Sequence, residues 1–207
     1  MTDVVVFHHA LGLTDGVRAF ARTLEDAGHT VHLPDLYDGR VFESLDEGVE
    51  FGAGTLGMEE IVARGRAAAA DLPTEVAYVG FSLGVVPAQQ LAQTRDGAVA
   101  AVLAHSCLPP DAFADAWPGG VPVQIHGMDA DPYFAGEGDI DAARALVAST
   151  EDAELFVYPG DGHLFTDPSA PDHDPAAAKL FTERVLALLD RAGGAPGGAD
   201  LAADPVP

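Results

Sequence analysis

Apolar residues follow two alternating rhythms along the chain. Short runs dense in apolar side chains occur at Val4 to Phe7, Thr30 to Leu33, Glu75 to Val79, Ala98 to Ala104, Val121 to His126 and Glu154 to Tyr158. Runs this brief and continuous predict strands buried on both faces of a parallel sheet. Between them, apolar positions recur at helical spacing. These stretches are Leu13 to Ala27 with Gly28 as its stop, Met58 to Leu72 with Pro73 at its exit, Val85 to about Thr94, Ile140 to Ser149, and Pro175 to about Arg191. Pro34-Asp35-Leu36-Tyr37 and the residues up to Met58 read as a glycine- and acid-rich connection.

Strand and helix alternate throughout. The pattern predicts an α/β protein with a mostly parallel sheet, right-handed crossovers and helices on both faces. Ligands of such open sheets bind beyond the carboxyl ends of the strands. Residues 1–192 are expected to form one domain, with no stretch long enough for a large cap domain. The segment 193–207 is rich in Gly, Ala, Pro and Asp and has little to bury, so a disordered tail is expected there.

Composition narrows the function classes. With 207 residues, 48% of them hydrophobic, the chain can bury one sizeable core. Its 33 acidic residues against 10 basic ones give a formal charge of −23. A surface this negative repels phosphate backbones and anionic membrane faces, so neither nucleic acid nor a membrane is an expected partner. Lys179 is the only lysine, a bias consistent with adaptation to salt or with a GC-rich genome. The single cysteine, Cys107, rules out an intramolecular disulfide. The start of the chain lacks the basic region of a signal peptide, and no apolar run approaches the roughly 20 residues of a membrane span, so a cytoplasmic protein is expected.

The candidate chemistry lies just after predicted strands. Gly80-Phe81-Ser82-Leu83-Gly84 fits a sharp strand-to-helix turn that lifts the central serine above the sheet. The amide of Leu83 would then point towards a developing oxyanion at the helix N-terminus. On an α/β-hydrolase fold the partners follow in the order Ser, acid, His. His163, in the loop after the last strand, suits the base. The loop after the preceding strand offers Asp131 and Asp129, and Asp161 is a third, weaker candidate. His8 and His9 have no further ligands at zinc-type spacing, so they are expected to line the oxyanion loop rather than hold metal, with Ala10 N–H as the second donor. Cys107 lacks an elbow and reads as a buried thiol. Trp117 and Phe113 read as core residues or a pocket cap. Tyr37 and Tyr133, just past strand ends, join His9 as candidates for the substrate pocket.

Taken together, Pro34-Asp35-Leu36-Tyr37, the serine turn, His126-Gly127-Met128-Asp129-Ala130-Asp131 and Gly162-His163-Leu164-Phe165 make the chain resemble the dienelactone hydrolase family from Val4 to about Asp190. The resemblance implies that the acid is Asp131. It also exposes two departures. The family's best-studied members carry cysteine where Ser82 stands, together with a glutamate where alignment on Gly12 places His9. They grip a substrate carboxylate with arginines, one of them at the position of Asp167, where an aspartate is expected to repel an anion. Arg40, Arg64 and Arg66 are the nearest other candidates for an arginine in the cleft.

The expected function is cofactor-free hydrolysis of a small ester or lactone through an acyl-enzyme, by a monomer or homodimer. A thioesterase, a tailoring lactonase or cyclase, and a non-catalytic binding protein of the same fold are the alternatives.

Overall fold

The computed structural model describes residues 1–194. Six strands form one wholly parallel sheet: β1 (Asp3–Phe7), β2 (Thr30–His32), β3 (Val76–Phe81), β4 (Ala98–Ala104), β5 (Val123–Met128) and β6 (Ala153–Tyr158), in the spatial order β2-β1-β3-β4-β5-β6. The chain steps from β1 out to the β2 edge, returns beside β1 as β3, and then advances to β6. The direction of winding therefore reverses between β1 and β3, where the crevice of a doubly wound sheet opens.

The predicted two-sided burial holds along β1. Val5 and Phe7 belong to the core that α3 (Met58–Ala69), α4 (Val85–Thr94) and α5 (Asp139–Ser149) cover on one face of the sheet. Val4 and Val6 pack with α1 (Asp15–Asp26) and α6 (Pro175–Gly194) on the other. At the start of α1, Thr14 accepts the Val17 N–H at 3.2 Å, an N-cap that fixes where the helix begins. No helix among the described residues is long and apolar enough to cross a membrane.

Two readings of the sequence shift. β5 begins two residues later than its apolar run, because Pro122 has no N–H to give the ladder; its carbonyl accepts from Ala101 N–H at 2.9 Å. α6 continues to Gly194, so only residues 195–207 of the expected disordered tail remain, and these lie outside the described residues.

The larger difference is at residues 45–56. The stretch read as a connection is helical: α2 (Leu45–Val49) runs directly into a π-helical segment (Glu50–Leu56). Gly48, Gly52 and Gly54 masked the helical pattern, since glycine is among the weakest helix formers. Two of them are needed for close approach. A side chain on Gly48 would collide with the Ala10 carbonyl, and one on Gly52 with the Tyr37 hydroxyl and Leu83. The segment thus lies directly against the loops that follow β1 and β3. Gly48→Ala is expected to destabilise the fold by about 1–3 kcal/mol, the cost of overpacking a tight contact. Chemical denaturation would show it as a lower midpoint with an unchanged slope.

Candidate active site

Ser82 immediately follows β3 and opens a single 3-10 turn (Ser82–Gly84) that leads into α4. Its φ of +48° is one of three positive values at non-glycine residues among those described. A serine held there costs on the order of 1–3 kcal/mol and persists only if its surroundings impose it. They do. A side chain at Gly80 would strike Gly84 and Val85, and one at Gly84 would strike the carbonyls of Phe7 and His8. Strand, turn and helix are pressed together against the end of β1, with Ser82 at the turn between them.

The other polar groups arrive from neighbouring strand ends. Ser82 Oγ lies 2.8 Å from His163 Nε2, and His163 Nδ1 lies 2.8 Å from Asp131 Oδ2. His163 is 6% exposed and Asp131 1%. Asp131 Oδ1 also accepts the Tyr133 N–H at 2.9 Å, fixing the carboxylate in its turn. Asp129 is exposed and does different work: its Oδ1 accepts Gly160 N–H at 3.0 Å and ties the β5 loop to the β6 loop. Asp161 is exposed and makes no side-chain hydrogen bond among the described residues. The backbone N–H of Ala10 makes none either, and it belongs to the loop on which α2 packs.

A cleft of about 270 Å³ opens above Ser82. Leu45, Val49 and Met58 form an apolar wall with Leu83 and Val86. Across from them stand His105, Ser106, Tyr133, Glu137 and Asp139, and no arginine or lysine lines the space. Arg40 lies over the Phe51 ring, Arg64 is held by Asp38, Glu60 and the Leu36 carbonyl, and Arg66 flanks a groove beside α4. Of the residues proposed for the pocket, Tyr133 lines the cleft, with its ring 4.6 Å from that of His163. Tyr37 is fully buried and donates its hydroxyl to the Gly48 carbonyl at 3.2 Å. His9 is also fully buried and faces away from the cleft lining.

His105 and Ser106 escaped the sequence reading, although they directly follow β4 and the same strand-end rule points to them. His105 is buried at φ +70°, with Nε2 2.8 Å from Thr166 Oγ1 and its ring 5.8 Å from that of His163. Burial first, and then the neighbouring His163, holds its pKa well below the ordinary histidine value. It is neutral at physiological pH. Ser106 Oγ donates to Asp139 Oδ2 at 2.6 Å.

The two positions at which the chain departs from the family pattern meet in space. His9 Nε2 lies 2.7 Å from Asp167 Oδ2, and both side chains are buried. Asp167 is therefore not placed to repel a substrate; the carboxylates that face the cleft are Glu137 and Asp139. Burial alone would raise the Asp167 pKa, but hydrogen bonds from His9, Ser169 and Thr14 outweigh it and hold the carboxyl well below the ordinary range. His8 is engaged elsewhere, donating Nδ1–H to the His9 carbonyl and accepting Leu36 N–H on Nε2. Burial lowers its pKa to about 4. No group of three or more His, Cys, Asp or Glu side chains that could hold a metal ion occurs among the described residues.

With this geometry in view, comparison with known proteins is decisive at family level. The family profile described as "Dienelactone hydrolase family" matches residues 1–193. The chain belongs to the dienelactone hydrolase family. Among solved structures, a dienelactone hydrolase-like promiscuous phosphotriesterase from metagenomic libraries is 24% identical, with a TM-score of 0.70 over 92% of this chain and 86% of the other. A putative dienelactone hydrolase from Klebsiella pneumoniae is 19% identical, with a TM-score of 0.69 over 92% and 87%. The dienelactone hydrolase of Anabaena variabilis is 21% identical, with a TM-score of 0.66 over 92% and 86%. These likenesses are of fold. No curated protein matches the chain in sequence.

Cys107 and Trp117 belong to the core of this family member. Trp117 donates its indole N–H to the Val121 carbonyl at 2.8 Å, and Phe113 is half-buried outside the cleft lining. Cys107 is 1% exposed; burial, and secondarily Asp139, pushes its thiol up to about 12. The thiolate is the reactive form, so Cys107 should resist a disulfide reagent such as dithionitrobenzoate in the native protein at pH 8 and react at once in denaturant. Rapid labelling of the native chain at this position would contradict the burial.

Proposed function

We propose that this dienelactone hydrolase family member is a serine hydrolase that cleaves small, uncharged carboxylic esters or lactones through an acyl-enzyme. One observation carries the reading: an unbroken line of hydrogen bonds, 2.8 Å and 2.8 Å, from the strained Ser82 through His163 to the buried Asp131. His163 takes the proton of Ser82 as the oxygen attacks the ester carbonyl. Asp131 holds the imidazole in the tautomer that presents Nε2 to the serine and stabilises the imidazolium that forms. The N–H groups of Ala10 and Leu83 receive the oxyanion. His163 then protonates the leaving alcohol, and a water deprotonated by the same imidazole releases the acid and restores Ser82.

The cleft supports the choice of substrate. Its apolar wall suits an uncharged acyl or alcohol portion, and its 270 Å³ suits a small one. Glu137 and Asp139 disfavour a carboxylate-bearing substrate such as a dienelactone, and no cation in the lining offsets them. A thioester would use the same groups.

Wild-type protein should be labelled at Ser82 by a fluorophosphonate, and Ser82→Ala should lose both the label and at least about 10⁴-fold in turnover of an aryl acetate. Absence of label on the wild-type chain would sink the proposal. Asp131→Ala should cost about 10²–10⁴-fold while Asp129→Ala stays within a few-fold, and the reverse order would reassign the acid. A neutral aryl ester should exceed its carboxylated analogue about tenfold in kcat/KM, with the gap narrowing in molar salt. Equal rates for the two would show that the acidic wall plays no part in selection.

A further inference from the structure

The loop that carries Ala10 has little regular structure of its own. Residues 8–14 leave β1 and reach α1 with an isolated backbone bridge, Gly12 to Val41, and two turn hydrogen bonds, Gly12 N–H to the His9 carbonyl and Thr14 N–H to the Gly12 carbonyl, each 3.0 Å. The side chain of His9 adds a link to the loop after β6 that these backbone bonds do not make. Its Nδ1 accepts Leu11 N–H at 3.3 Å, which makes Nε2 the protonated nitrogen and the donor to Asp167 at 2.7 Å. Asp167 sits in the turn after His163, where its own N–H returns to the Leu164 carbonyl at 2.9 Å.

The carboxylate of Asp167 is fully committed. Oδ2 accepts from His9 and from Thr14 Oγ1 at 2.6 Å; Oδ1 accepts from Ser169 N–H at 2.7 Å and Ser169 Oγ at 2.5 Å. Its position at the first turn of α1 is made possible by Gly16, whose side chain would otherwise occupy the same space. The helix N-terminus adds its own attraction for the negative charge. One buried pair therefore joins the loop of the proposed oxyanion donor to the loop of the proposed base, across 158 positions of sequence.

We propose that His9 and Asp167 are positioning residues for acyl transfer, holding Ala10 N–H and His163 in register over Ser82. The inference rests on the serine hydrolase reading above. Neither side chain lines the cleft, so loosening the pair should leave substrate binding alone and weaken what develops only at the tetrahedral stage.

The test compares His9→Phe, which keeps an aromatic ring but can neither accept from Leu11 nor donate to Asp167, with His9→Gln, whose amide can still donate. Turnover of an aryl acetate is measured beside inhibition by phenylboronic acid. The boronic acid bonds Ser82 Oγ to boron, converting trigonal boron to a tetrahedral anion while the serine proton passes to His163. For His9→Phe the expectation is a fall in kcat of about 30–100-fold, as for an ångström-scale misplacement. KM should stay within about threefold, and boronate affinity should weaken in parallel with kcat. His9→Gln should recover most of both losses. Asp167→Asn, should His9→Phe fail to fold, is expected to show the same division between kcat and KM.

A folded His9→Phe or Asp167→Asn variant with a lowered melting temperature but wild-type kcat and boronate affinity would overturn the inference and leave the hydrolase reading intact. Wild-type protein with neither Ser82-dependent turnover nor boronate binding would overturn both.

Discussion

Everything at the site depends on one backbone residue being held where its residue type resists going. Ser82 at φ +48° is possible because strand β3, the turn and helix α4 cannot separate. They cannot separate because β1 and β3 are neighbours, so that the turn abuts the carbonyls of Phe7 and His8. The crossing of the chain from the β2 edge back to β3 is thus a chemical requirement as much as a topological one. It places the loop after β1 beside the serine turn, where the proposed oxyanion donor sits, and it directs β4 to β6 outward, so that the proposed acid and base arrive from the far side.

The charge of the chain is organised rather than merely abundant. Among the described residues most acidic side chains are solvated, but two are deeply buried, and each is matched. Asp131 accepts from His163 and the Tyr133 amide; Asp167 accepts from His9, Thr14 and Ser169. An unmatched buried carboxylate would be strongly destabilising, and the donors around each of these two offset that cost. The cleft wall differs: Glu137 is exposed and Asp139 has donors only on Oδ2, so both can act on whatever enters.

Regular elements were legible because burial on two faces leaves a simple trace: unbroken apolar runs for strands and helical spacing between them. The serine turn was legible for a similar reason, since close approach demands glycines at fixed offsets. What escaped was structure specified by contact. Residues 45–56 contain glycines because Ala10, Tyr37 and Leu83 press against them, and no local pattern announces those neighbours. Spacing alone leaves Asp129 and Asp131 open, since two aspartates two positions apart differ only in what lies across the loop: Gly160 for one, His163 for the other. His9 and Asp167 each depart from the family pattern at their own positions, but that they form one pair is visible only in three dimensions.

That pairing has a consequence for how the molecule comes into being. Groups from the first ten residues must meet groups from residues 163–169, so the site is closed by some of the most sequence-distant contacts in the fold. Contacts of such long range carry a high loop-closure entropy, and they reward the chain only once the intervening strands have paired. A nascent or partly folded chain could form the β1–β3 region and its serine turn while still lacking His163 as a partner for Ser82. On the proposed mechanism, competence would then arrive with the last strand and helix, and Ser82 would stay without its proposed base until the rest of the protein is in place.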